Sequence, residues 1–222
     1  MDFHKFKRTK HIFDAGGSGV SRDDLVMTNK ESENYLKNSM FVIEEKVDGA
    51  NIGLSIDENL MIKAQNRSHF VNSTSHKQFS TLDAWIENHS EDLFKILNPP
   101  GKYILFGEWL FAKHSIHYSH LPDLFLAFDI FNKEKKEYLS VVERNSILDK
   151  TSISVINQIC QEENITKKRV SLQIQFLWYF FIIFQGLNLF SFFLIRCPTM
   201  SVWAAITAVS YTHLTLPTIL LV

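Results

Sequence analysis

The chain is 222 residues long, enough for one domain of ordinary size with at most a small second element. A formal net charge of -1 excludes a protein held on nucleic acid or an anionic membrane by its overall field, so any RNA contact must be local. Cys160 and Cys197 fit no metal spacing or redox pair, and MDFHKFKRTK has charge but no apolar run behind it; both features point to a reducing compartment, the cytoplasm first and the nucleus as the alternative.

Residues 1–40 read as polar and irregular. Gly16, Gly17 and Gly19 are not followed by a GK[ST] signature and make no phosphate loop. Lys5, Lys7, Arg8, Lys10 and His11 alternate with Phe3, Phe6 and Phe13, which fits a phosphate-tracking edge or a solvated arm equally well. From Met40 three runs rich in branched residues, FVIEEKV, NIGLSI and NLMIKAQ, are split by Asp48-Gly49 and by Asp57-Glu58-Asn59, and predict an antiparallel meander. Apolar residues at three- and four-residue steps predict one helix over TLDAWIENHSEDLFKIL, capped by Ser80 or Thr81 and ended by Pro99-Pro100-Gly101. YILFGEWLF and LFLAFDIF then read as strands buried on both faces. Strands with a helix laid alongside, without regular alternation, predict an α+β fold with antiparallel sheets.

KVDGAN, at 46–51, puts a lysine at a strand end, an acid two residues on and a glycine directly after. In isolation a DG pair between apolar runs is as readily a hairpin turn. Further along stand Asn66-Arg67-Ser68, then Glu108 inside the first buried strand, then Phe128-Asp129 inside the second. Carboxylates are rarely buried within apolar strands without a partner, so Glu108 and Asp129 together call for a ligand. His114, His117 and His120 recur at a spacing that suits either zinc or a polar, RNA-facing loop.

Over about residues 3–150 the chain resembles the RNA ligase 2-like branch of the covalent nucleotidyltransferases, a superfamily that includes DNA ligases and mRNA capping enzymes. EEKVDGAN resembles the nucleotidyl-acceptor motif, which makes Lys46 the residue that attacks the α-phosphate of ATP, flanked by Glu45, Val47 and Asp48. QNRS resembles the next motif and gives Arg67 a contact to nucleotide or RNA 5′-phosphate. LFGEW gives Glu108 the ribose hydroxyls, and FLAFDIF gives Phe128 the adenine stack with Asp129 in support. Asn51 matches an asparagine near ribose and phosphate. The resemblance implies an antiparallel-sheet adenylation domain and an ATP- and Mg²⁺-dependent enzyme that joins RNA 3′-hydroxyl and 5′-phosphate ends through lysyl-AMP. The chemistry agrees, since a lysine attacks phosphorus only as the neutral amine and the charge on the α-phosphate must be offset.

The family's last two motifs, a Glu-Gly strand and a Lys-x-Lys strand, are not found; Lys167-Lys168-Arg169 lies in no strand pattern. The expected domain is therefore incomplete on its carboxyl-terminal side, covering 1–160, with a non-family apolar tail over 161–222. From Val170 onward the one formal charge is Arg196. LQIQFLWYFFIIFQGLNLFSFFLI, at 172–195, reads either as a transmembrane span or as translated T-rich non-coding sequence, and SYTHLTLPTILLV resembles a translated adapter. A membrane partner follows only from the first reading, and no protein partner is evident. Lacking the Lys-x-Lys pair, the chain is expected to adenylylate weakly or not at all; the alternative is a pseudo-ligase that holds nucleotide or RNA ends without chemistry.

Overall fold

The three apolar runs between Met40 and Gln65 divide between two sheets. The computed structural model describes residues 3–7, 9–12, 25–37, 40–114, 118, 120–163, 191–196 and 203–208. In chain order the strands are β1 (Lys10–His11), β2 (Met40–Lys46), β3 (Ala50–Ile56), β4 (Ile62–Gln65), β5 (Phe70–Val71), β6 (Tyr103–Trp109), β7 (Phe125–Asn132), β8 (Glu137–Tyr138), β9 (Gln158–Glu163), β10 (Ser191–Arg196) and β11 (Trp203–Ala208). Among the described residues they form a five-stranded sheet ordered β1-β11-β10-β2-β9 and a six-stranded sheet ordered β5-β4-β3-β6-β7-β8. Apart from the parallel pair β1 and β11, neighbouring strands are antiparallel.

The expected meander is thus corrected at its first turn. β3 and β4 do pair, but β2 takes β9 and β10 as neighbours instead of β3. Asp48-Gly49 is a crossing from one sheet to the other and not a hairpin. Close packing explains this: a Cβ built on Gly49 would lie 2.5 Å from the Trp109 carbonyl oxygen, so the chain is pressed onto the end of β6 at this point.

Four helices accompany the sheets among the described residues: α1 (Asn29–Leu36), α2 (Leu82–Asn88), α3 (Ser90–Leu97) and α4 (Val141–Leu148). The first corrects the irregular reading of residues 1–40; Thr28 and Glu31 form a capping box whose spacing was visible in the sequence. The single helix expected over 81–97 breaks at His89, whose backbone leaves the helical region (φ -107, ψ 11) while its ring stacks on Trp85 at 4.2 Å. Thr81 holds the cap position of α2 without a side-chain cap bond.

β6 and β7 are buried on both faces, as their composition required. On one face Leu82, Trp85, Leu93, Ile96 and Leu97 from α2 and α3 pack on Ile52, Leu54 and Leu105, each fully buried aliphatic contributing about 1.5–3 kcal/mol. On the other, Ile104, Phe106, Leu126, Phe128 and Phe131 form a second apolar layer with Val47, Tyr138 and Ile156. That second layer floors the cleft described below.

The boundary expected at residue 160 falls inside β9, and 191–195 of the apolar segment belong to β10, which pairs with β2. Residues 172–190, Lys167–Arg169 and His117 lie outside the described residues. Among the described residues no helix is long and apolar enough to cross a membrane.

Candidate functional site

Lys46 is the last residue of β2, where the chain leaves one sheet for the other, and it faces an open cleft of about 450 Å³ between them. Its lining is partly apolar, from Phe6, Val47, Phe128 and Ile156, which belong to one packed cluster, and partly polar, from Thr9, Glu45, Asn51, Arg67 and Glu108. Seven of the nine residues singled out in the sequence line this space. Asp48 and Asp129 do not. Asp48 sits in the crossing turn, and Asp129, within β7 opposite Phe106, is fully buried.

The crossing turn is held by its own backbone amides. Gly49 N–H donates to Glu108 Oε1 at 3.1 Å, and Asp48 N–H donates to Tyr118 Oη at 2.7 Å. Burial pushes the Glu108 carboxyl up from its ordinary pKa, against Lys46, the Gly49 amide and Arg67, which favour its charged form. Burial likewise raises the Glu45 carboxyl. The Tyr118 phenol is raised by burial and, against the opposing Asp48 amide, by the nearby Asp48, Glu45 and Glu108 charges, so it stays protonated.

Phe128 reaches the cleft through a bulge. Along β7 and β6 the register passes from Asp129 opposite Phe106 to Ala127 opposite Gly107, so Phe128 is the extra residue. Its ring meets Phe6 edge-on at 5.4 Å. Arg67 stands on an exposed turn organised by Asn66, whose Oδ1 accepts from the backbone amides of Ser68 at 2.8 Å and His69 at 2.9 Å. Asn51 Oδ1 is buried without a hydrogen-bond partner, an acceptor awaiting a donor from within the cleft.

Phe6, Thr9, Tyr118 and Ile156 join the site although the sequence reading gave them no role there. In the sequence Phe3 and Phe6 belong to a basic arm; in the structure Phe6 enters the cleft and Phe3 packs on Phe70, while Lys5, Lys7 and Lys10 stay exposed. Aromatic residues spaced three apart before the first strand were the signal available for them. Among the described residues no group of three or more His, Cys, Asp or Glu side chains is placed to hold a metal ion, which includes His114 and His120.

A cleft lined by apolar side chains, a lysine, one buried carboxylate and one half-buried carboxylate has the chemistry to hold a nucleotide. Residues 39–181, more than half of the chain, match the sequence model of the RNA ligase family. The chain belongs to that family. Among solved structures it resembles an archaeal ATP-dependent RNA ligase (TM-score 0.59, 15% identity, 92% of this chain and 48% of that one). It also resembles a Naegleria gruberi RNA ligase mutant with ATP and Mn (TM-score 0.59, 16% identity, 90% and 60%). A third is a putative ATP-dependent DNA ligase from Aquifex aeolicus (TM-score 0.58, 15% identity, 92% and 50%). The chain spans about half to three fifths of these relatives' length. At such identities they establish the fold, the mixed helix and antiparallel-sheet arrangement of ligase nucleotidyltransferases. Among curated proteins none matches by sequence. The family match runs past the boundary expected at residue 160.

Proposed function

We propose that this chain is the nucleotide-binding half of an ATP-dependent RNA ligase and that Lys46 carries the adenylyl group. The observation that supports this best is the convergence of Lys46, Glu108, Arg67 and Phe128, which come from four separate segments, on one cleft. In the proposed reaction the neutral Nζ of Lys46 attacks the α-phosphorus of ATP. The N–P bond forms, the bond to the bridging oxygen breaks, pyrophosphate leaves, and the amine proton passes to solvent. The RNA 5′-phosphate then displaces the lysine from AMP, and a 3′-hydroxyl displaces AMP from that phosphate.

Each nearby side chain has a physical task. Phe128 and Phe6 supply the apolar walls on which adenine stacks. Glu108 accepts from the ribose hydroxyls, and Asn51 Oδ1 gains the partner it lacks. Arg67, exposed at the cleft mouth, meets the nucleotide or the RNA 5′-phosphate. The residues fit a Mg²⁺ ion that arrives with the nucleotide, because that ion commonly takes one or two carboxylates and completes its shell with phosphate oxygens and water. Glu45 would hold it, and when bound it offsets charge on the α-phosphate. Because the family's Lys-x-Lys strand is not found in the sequence, labelling is expected to be slow.

Incubation with Mg²⁺ and α-labelled ATP tests the proposal. Label should appear on the protein, with a mass gain of one adenylate, and be lost completely in Lys46→Ala. Saturable ATP binding that survives Lys46→Ala but fails in Phe128→Ala, with no label in either the wild type or a version completed with a carboxyl-terminal half, would support the pseudo-ligase instead.

A further inference from the structure

We infer that Arg144 is a positioning residue for nucleotidyl transfer: one buried guanidinium ties the strand that ends in Lys46 to the bulge that carries Phe128. The inference rests on the roles proposed above for those two residues. Arg144 lies on α4, outside the cleft, and is fully buried, as is its partner Glu44 on β2. Its two terminal nitrogens form a fork onto the Glu44 carboxylate, with Nη1 3.2 Å from Oε2 and Nη2 bonded to Oε1. Nη1 also donates to the Phe128 carbonyl at 2.6 Å. Nε and Nη2 are held in turn by Asn145 Oδ1, at 2.9 and 2.7 Å, which fixes the plane of the group.

These contacts join two sheets at the point where the cleft needs them joined. Glu44 stands two residues before Lys46 in the five-stranded sheet, and Phe128 belongs to the six-stranded one. The bulge removes Phe128 from the β6 register, and Arg144 supplies a donor to its carbonyl. Burying a charge pair is a poor route to stability, since apolar residues of the same volume often do as well. What the fork adds is a fixed distance between the attacking amine and the ring that seats the base. In-line attack on phosphorus is sensitive to such distances, a displacement of about 1 Å being enough to cost on the order of 100-fold in rate.

The test uses the full chain with Arg144→Lys, which keeps a charge for Glu44 but lacks the fork, Arg144→Leu, which replaces it with apolar volume, and Glu44→Gln. Thermal unfolding sets a temperature at which each variant is folded. At that temperature the ATP dissociation constant, and the initial rate and KM of labelling per folded molecule, are measured. Arg144→Lys and Arg144→Leu are expected to label about 10- to 100-fold more slowly at saturating ATP, and to bind ATP several-fold more weakly. A purely structural residue would lower the melting temperature and leave both quantities per folded molecule unchanged, and that result overturns the inference. Should Arg144→Leu not fold, Arg144→Lys and Glu44→Gln decide the matter by the same readouts. A wild type that never takes label, even with its carboxyl-terminal half supplied, removes the reading of Lys46 and this inference with it; labelled wild type with unchanged variants removes this inference alone.

Discussion

The six-stranded sheet is assembled from neighbours in the chain, β3 with β4 and β5, then β6 with β7 and β8, under the cover of α2 and α3. The five-stranded sheet gathers β1, β2, β9, β10 and β11 from both ends of the molecule, so every pairing that β2 makes is with a strand more than a hundred residues away. The first sheet is held largely by short-range pairings and a helix face, joined at its centre by the pairing of β3 with β6. The second depends on distant segments and on a polar tie through Arg144. The cleft lies on the seam between them, and its lysine belongs to the less locally determined side.

Damage at the seam should therefore differ in kind from damage in the local core. The largest effect is expected from Glu44→Ala, which strands a buried guanidinium and should cost about 3–5 kcal/mol in urea unfolding, with weaker ATP binding in the molecules that stay folded. Leu93→Ala, within the layer that α3 lays on the six-stranded sheet, should cost about 2–5 kcal/mol yet leave the ATP dissociation constant per folded molecule unchanged. If both variants lose binding together, the two sheets are one cooperative unit and the contrast fails.

A smaller, pH-dependent effect concerns the far side of the local unit. Ser152 donates to Asp92 Oδ2 through its backbone amide at 2.8 Å and its hydroxyl at 2.7 Å, pinning α3 to the segment that leads into Ile153. Those bonds, the backbone one first, and then Lys95 lower the Asp92 carboxyl from 3.8 to about 2. The folded state therefore prefers the ionised acid, and its contribution is present above pH 4 and lost as pH falls towards 2. Chemical denaturation of wild type and Asp92→Asn should give a gap in midpoint at pH 7 that narrows at pH 2.5. The carboxylate is only half-buried and water screens it, so the gap will be modest.

Much of the local sheet was legible in the residues. Apolar runs marked β3, β6 and β7, the periodicity marked α2 and α3, and of the two misplaced charges Glu108 lines the cleft whereas Asp129 does not. The break at His89 was hidden because His89 fits the helical stripe by spacing, and its departure depends on a ring stack with Trp85 and contact with Asp123, which no periodicity records. The crossing at Asp48-Gly49 looked like a hairpin for a related reason, since the obstacle that decides it is the Trp109 carbonyl, sixty residues on. Glu44 and Arg144 are a hundred residues apart, and nothing in either neighbourhood announces the other. The cleft residues were legible through resemblance to a family, whereas the groups that hold them in place were not.

The extra residue in β7 means that residue count, and not chemistry alone, aims the ring of Phe128. Deleting Ala127 would heal the pleat while leaving every side chain that lines the cleft in the chain, and the phenyl group would then be delivered to the helix-covered side. Under the proposed role of Phe128, an engineer seeking to retune base acceptance should therefore vary the wall at Phe6, Val47 or Ile156, and leave the length of that strand alone.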